Sequence, residues 1–359
     1  MKRKLALVTA ALMLCSAVLT GCGPKTPAAG SKSGGTSGGS ASDLPYYEWS
    51  LSCEYSAENH QTLALQDAAK LIEEQTGGHI KITVYPNMAL GDYTVVYGQV
   101  MTGDIEIAAC PIAPEYDRRA VALNLPFLAT DFTEFADNYF QGGFMWNLID
   151  DITQKNGVKL LGIFNAGFMG LGAKKVDSED FEFLTGTQTK SMLMRSPSSN
   201  AFAVSMKEMG YNTTVIPYAD LYSAMQSGLC DGWVGGSGLV NYDSFRDVIK
   251  YFVDCNVVNE CIPVQMNQEL FDSLPAGYQT IVTDVFDQMQ NRVNDERQAQ
   301  EAQALVDMEN YGIKVITGTD GQMSALRDRI RAQTWPQLVE DVGQDVIDAA
   351  CEAYGVQLP

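Results

Sequence analysis

Histidine is nearly missing: the chain has two, His60 and His79, and none after residue 79. Neither stands at metal-ligand spacing from another histidine or a cysteine, which argues against a zinc centre. A surface or strand-end position is the simpler reading of each. No Gly-Lys-Ser/Thr phosphate loop occurs, and no dinucleotide fingerprint follows the first strand-like segment. Gly235-Gly236-Ser237-Gly238-Leu239 falls short of a nucleophile elbow, because its last position is leucine and no histidine follows it. Acidic doublets such as Glu73-Glu74 and Asp150-Asp151 read as solvated faces rather than acid–base pairs. Positive charge is also scarce. Lys and Arg number 24 against 44 Asp and Glu, a net charge of −20. Nucleic acid and anionic membrane surfaces are poor partners for such a chain. An anionic ligand would need a local cation to overcome the general field. The expectation is a protein that is not an enzyme and uses no cofactor or metal.

The N-terminus carries an address. Lys2, Arg3 and Lys4 precede an apolar run from Leu5 to Leu19, too short to span a bilayer as a mature helix. Leu19-Thr20-Gly21-Cys22 then resembles a bacterial lipobox, which implies a signal peptide over 1–21 and acylation of Cys22. An ordinary cleaved signal with an incidental cysteine is the alternative. After Cys22, residues 23–42 are Gly, Ser, Pro, Ala, Thr and two lysines, so 22–42 has the composition of a flexible tether. Loss of the three positive leader residues takes the mature chain to about −23. Six of the eight cysteines remain: Cys53, Cys110, Cys230, Cys255, Cys261 and Cys351. Outside the cytoplasm Cys255 and Cys261 are the nearest pair for a disulfide, although connectivity does not follow from spacing. Small buried apolar cysteines are the other reading.

From Asp43 onward the pattern alternates between two periods. Strands are expected over 47–55, 80–84, 105–109, 159–164, 214–218 and 262–265, and helices over 62–75, 92–101, 198–209 and 220–226. Such an order points to an α/β protein with parallel sheets covered by helices. From Ala276 to about Asn310 no Gly or Pro interrupts a run with an apolar stripe at Tyr278, Val282, Val285, Phe286 and Met289. A helix of that length is about 50 Å long, longer than one domain, and is expected to lie across two lobes. A cleft at strand ends between two lobes is the usual place for a small ligand. Architecture alone fits a binding protein and a two-domain enzyme equally.

The motifs decide between them. Asp220-Leu221-Tyr222-Ser223-Ala224-Met225-Gln226-Ser227-Gly228-Leu229-Cys230-Asp231-Gly232 closely resembles the signature of solute-binding proteins of tripartite ATP-independent periplasmic (TRAP) transporters, a group that includes C4-dicarboxylate binders. Thr76-Gly77-Gly78-His79-Ile80-Lys81-Ile82, Tyr85-Pro86, Leu90-Gly91, Leu125-Pro126-Phe127-Leu128 and Met194-Arg195-Ser196-Pro197 agree in order and spacing. The resemblance covers nearly all of 46–316. It implies a type II periplasmic-binding-protein fold: lobe I over 43–166 with about 260–298, and lobe II over 167–259 with about 299–359. It implies that Arg195 of the Arg-x-Pro element pairs with a ligand carboxylate, a planar fork suited to two parallel charge-assisted bonds. Tyr218 and Ser198 match pocket-lining positions. Trp233 matches a cleft-facing position near the lobe hinge, with core packing as the alternative. Asn165 and Phe168 are further candidates, and Cys110 and Pro111 are expected on the opposite wall. Two departures matter: Gly167-Phe168-Met169-Gly170 lacks a second arginine common in the family, and Asp231-Gly232 is not followed by Glu-Asn. About five extra residues also stand between Gly186 and Arg195. A second ligand carboxylate is therefore in question, and a less polar or aromatic monocarboxylate is admitted. The implied partners are the transporter's membrane subunits and, through the lipid, the outer face of the cell membrane or a periplasmic one. A lipoprotein that reports the bound acid to a receptor is the rival function.

Overall fold

The computed structural model describes residues 44–358. The expected leader, acylated Cys22 and tether lie outside the described residues. Within them, no helix is long and apolar enough to cross a membrane.

Nine strands form one mixed sheet. They are β1 (Tyr47–Cys53), β2 (Ile80–Tyr85), β3 (Ile107–Ala109), β4 (Val158–Ala173), β5 (Leu193–Ser196), β6 (Asn212–Val215), β7 (Gly232–Gly236), β8 (Tyr251–Asn267) and β9 (Lys314–Thr317). The helices between them are α1 (His60–Gln75), α2 (Tyr93–Thr102), α3 (Phe132–Tyr139), α4 (Phe144–Lys155), α5 (Phe181–Thr185), α6 (Asn200–Glu208), α7 (Tyr218–Ser227), α8 (Gly238–Phe245), α9 (Gln268–Ser273) and α10 (Ala276–Tyr311). Three more close the chain: α11 (Asp320–Thr334), α12 (Val339–Val342) and α13 (Gln344–Ala353).

Strand order is β2-β1-β3-β8-β4-β7-β5-β6, with β9 on β8. One end is the parallel set β2-β1-β3 and the other the parallel set β7-β5-β6. The antiparallel pair β4 and β8 runs between them, joined to β3 on one side and to β7 on the other. The sheet is thus mixed where the sequence suggested parallel pairing alone. That pair also far outruns the short strands expected at 159–164 and 262–265. Glycines caused the shortfall in β4, since they interrupt an alternating pattern. At Gly170 the reason for glycine is local: a Cβ would stand 2.5 Å from the Val253 carbonyl oxygen of the neighbouring strand.

Local signals place the helices. Asn59 and Asp92 cap α1 and α2 by accepting from Gln61 N at 3.0 Å and Thr94 N at 3.1 Å. Helix α10 spans 36 residues, and its buried side chains run from Tyr278 to Met308. Its first half packs in one apolar cluster with β1, α1 and Phe164. A second cluster joins Val96, Phe135 and Ile149 to Trp335, Leu338 and Ile347 of the C-terminal segment. A third gathers Met194, Phe202 and Met206 with Leu326 and Ile330 of α11. The six cysteines of the described region are all free, Cys255 and Cys261 included, and all but Cys351 are buried.

Candidate functional site

The parallel strands of both halves end at one cavity. Residues just beyond β1, β3 and β5 supply Glu54, Pro111 and Ile112, and Pro197 to Ser199, while β5 and β7 themselves supply Arg195 and Gly235. Tyr93 from α2, Tyr218 from α7, and Glu260 to Ile262 from β8 complete much of the wall. The space between these residues, open mouth included, is about 680 Å³. Strand ends at a change of strand order leave such crevices because the connecting helices diverge there.

Arg195 is the cavity's cation. Its backbone is fixed between β6 and β7, opposite Thr214 and Trp233, and the residue is only 2% exposed. Nε donates to the Ile216 carbonyl at 2.8 Å, and the guanidinium lies 5.9 Å from the Tyr218 ring centre. No carboxylate of the described residues comes within ion-pair distance, 4.0 Å, of it. Gly235 stands beside it with φ +134°, a backbone conformation that L side chains rarely adopt. Burial lowers the arginine's pKa from its ordinary value, opposed by the surrounding Tyr93, Tyr218, Asp92 and Glu54. An arginine stays protonated under such pressure, so the floor of the cavity carries a desolvated positive charge without a counter-ion.

Two carboxyl groups share the cavity. Glu54 is 8% exposed and Glu260 5%. Tyr55 Oη donates to Glu260 Oε1 at 2.5 Å, and Ser237 N donates to Oε2 at 3.1 Å. Burial pushes Glu260 up to about 7, against the Tyr55 hydrogen bond and the attraction of Arg297. Glu54 is held well above the ordinary carboxylate range, first by burial and then by the charges of Glu260 and Asp92. Neither acid has an ion-pair partner among the described residues. Over the mouth, Tyr93 Oη and Ser198 Oγ meet at 3.4 Å, and Ala219 N reaches Asp92 Oδ2 at 3.5 Å. Both contacts tie the start of α2 to the halves' opposite side.

Of the residues expected from sequence, Arg195, Ser198, Tyr218 and Pro111 line this cavity. Cys110, Asn165, Phe168 and Trp233 do not. Trp233 is fully buried behind Tyr218, 4.6 Å from the Phe245 ring, with Nε1 donating to Asn241 at 3.0 Å; its cleft-facing placement is corrected to a core one. Asn165 is spent on structure, bonding Asn294 at 2.9 Å and the Gly167 N–H at 2.8 Å. Phe168 packs edge-on against Phe132 at a separate hollow. Cys110 turns its side chain into the second apolar cluster, while its carbonyl accepts from Gln265. Tyr218 opens α7 instead of closing a strand. Glu54, Glu260 and Tyr93 were not foreseen. Glu54 had a usable signal, a carboxylate near the end of the strand expected over 47–55. Glu260 had none, because the strand that carries it was read as starting later. Among the described residues, no group of three His, Cys, Asp or Glu side chains could hold a metal ion.

Comparison with known proteins adds independent information. The family model for bacterial extracellular solute-binding protein, family 7, matches residues 51–340. The C4-dicarboxylate-binding periplasmic protein DctP of Vibrio cholerae is 24% identical over 290 residues, covering 79% of this chain and 83% of that one. The 2,3-diketo-L-gulonate-binding periplasmic protein YiaO of Escherichia coli is 25% identical over 321 residues, covering 87% and 94%. A TRAP periplasmic solute-binding protein of Desulfovibrio salexigens, solved with bound orotic acid, superposes with a TM-score of 0.77 at 20% identity over 86% of this chain and 99% of that one. One from Haemophilus influenzae with bound L-gulonate gives 0.76 at 21% identity, over 86% and 99%.

Proposed function

The chain belongs to the bacterial extracellular solute-binding proteins, family 7, the TRAP type, and from that premise we propose that its cleft captures a small organic acid for a membrane transporter. Members of this family bind solutes and are not enzymes. One observation carries the ligand's chemistry: Arg195 is buried at the cavity wall with no ion-pair partner among the described residues. A carboxylate laid against its free N–H groups would satisfy both charge and hydrogen bonding, and closure of the mouth would exclude the water that weakens such a pair. The relatives' ligands, a C4-dicarboxylate and 2,3-diketo-L-gulonate by their names, are acids too.

The remaining parts of the proposal follow. Ligand binding would stabilise the closed form, and the transporter's membrane subunits would recognise that form. Cys22 would be acylated and residues 22–42 would tether the protein to the membrane's outer face. Lobe I would comprise 43–166 with about 260–298, and lobe II 167–259 with the segment from about 299. The closing helices would return to lobe I, since Leu338, Ile347 and Ala350 pack with Leu123, Phe135 and Ile149.

Thermal-shift screening of the purified protein against organic acids, keto acids and aromatic carboxylates tests the assignment. A ligand at a hundredfold excess over its Kd adds about 2.7 kcal/mol of stability. Arg195→Ala is expected to abolish that response while the unliganded protein still melts cooperatively. An unchanged response in the variant would refute the site.

A further inference from the structure

The cavity holds opposite charges that do not neutralise one another. Arg195 and Glu54 both line it, yet they are not within ion-pair distance, and Glu260 likewise faces the same space without a cationic partner. All three are at least nine-tenths buried. A ligand with a carboxylate and nothing positive would meet only one of these two kinds of group. An acid bringing one negative charge to Arg195 would place it in a closed, low-dielectric space beside two further carboxyl groups, with nothing positive to face them. Pro111, Ile112, Leu123, Met169 and Phe202 give the cavity an apolar stretch as well, beside the hydroxyls of Tyr93, Ser198, Ser199 and Tyr218.

We propose that the ligand is a dipolar ion: a carboxylate on Arg195, a protonated amine against Glu54 and the Tyr55-bound Glu260, and an apolar side chain along the Pro111–Ile112 wall. An amino acid with an aliphatic or aromatic side chain has this chemistry. The inference rests on the carboxylate reading of Arg195 and deepens it. Proton linkage supports it. Glu54 faces Glu260, Asp92, Tyr55 and Arg195, while Glu260 faces Tyr55, Arg297, Glu301 and the Ser237 N–H. Burial holds both acids above their ordinary range, and Glu260, at about 7, retains part of its protons near neutral pH. An incoming ammonium favours their ionised forms and would release protons; an incoming carboxylate alone would do the reverse.

Calorimetric titration with L-leucine and L-phenylalanine, set against their amine-free counterparts 4-methylpentanoate and 3-phenylpropionate, separates the possibilities. The amino acids are expected to bind at least about a hundredfold more tightly, the scale of a buried charge partner. Glu54→Gln is expected to erase most of that gap. Should Glu54→Gln fail to fold, the wild-type protein still gives an answer. Titration at pH 6.5 in two buffers of different ionisation enthalpy should show net proton release with the amino acids. Tight binding of the amine-free acids only, abolished by Arg195→Ala, would overturn the dipolar ligand and leave the carboxylate reading standing. Amino-acid binding that survives Arg195→Ala would overturn the carboxylate reading itself. Proton uptake on amino-acid binding, or no binding of any amine-bearing probe at millimolar concentration, would overturn the inference.

Discussion

Replacing Glu260 by glutamine should make the unliganded protein more stable at pH 8 and remove a slope from its stability curve. In the folded chain burial holds this carboxyl at about 7, against 4.5 ordinarily. Below pH 4.5 folded and unfolded chains both carry the proton, and the group leaves stability untouched. Between 4.5 and 7 the unfolded chain has released the proton while the folded one keeps it, so stability falls as pH rises through that window. Above 7 the loss is complete and constant. Each pH unit of the gap is worth about 1.4 kcal/mol, which makes the total about 3 kcal/mol. At roughly 2 cal/mol/K of unfolding entropy per residue over about 315 residues, that corresponds to about 5 °C in Tm. Glutamine keeps an acceptor for Tyr55 but can set an N–H against the Ser237 N–H, a cost of about 1–3 kcal/mol that does not vary with pH. The informative quantity is therefore the difference between variant and wild type as a function of pH. Calorimetric melts of both at intervals from pH 4.5 to 8 would show it. A difference that stays flat across this interval would refute the claim that burial holds the proton on Glu260.

Trp233→Ala should cost about 3–5 kcal/mol, because it empties a fully buried site against Phe245 and leaves Asn241 without its donor. Loss of ligand affinity with no fall in Tm would instead place the indole against the ligand. Arg297→Met should lower the midpoint of urea unfolding by about 3 kcal/mol of stability. Arg297 is fully buried in α10, donates to the Ala166 carbonyl and to Ser237 Oγ at 3.2 Å, and stands 2.8 Å from Glu301. Breaking a buried pair costs about 3–5 kcal/mol, and the low end applies because the Nε–Glu301 contact is close without being aligned as a hydrogen bond. An unchanged midpoint would show that this contact set contributes nothing net.

Periodicity alone located α1, α2, α6, α7 and α10 and the strands β1, β2, β3 and β6, since their apolar faces follow regular spacing and their caps are local; the other eight described α-helices went unread. Asn59, Asp92 and Gly228 mark ends that the structure keeps within a residue or two. The central strands were far less legible. Buried on both faces, β4 and β8 have no alternation to detect, and glycines at 162, 167, 170 and 172 resemble loop punctuation until the neighbouring backbone is in place. The candidate site divides in the same way. Arg195 and Tyr218 sit in motifs that point at them, whereas Glu260 depends on register across β8, which is a property of the assembled sheet. Trp233 illustrates the converse: a large aromatic beside a motif drew attention, yet its volume is what the core needs.

The ladder between β4 and β8 carries register shifts at Leu160/Gly162, Asn165/Gly167 and Met169/Leu171. An unbroken antiparallel ribbon resists flexing along its length, because every hydrogen bond must strain together. Here the stiffness is already interrupted at short intervals, in the way a jeweller scores a metal strip before folding it. The crease is set beside Asn165 and Glu260, so any folding of the strip about it would be felt first at the acid that Tyr55 and Ser237 hold.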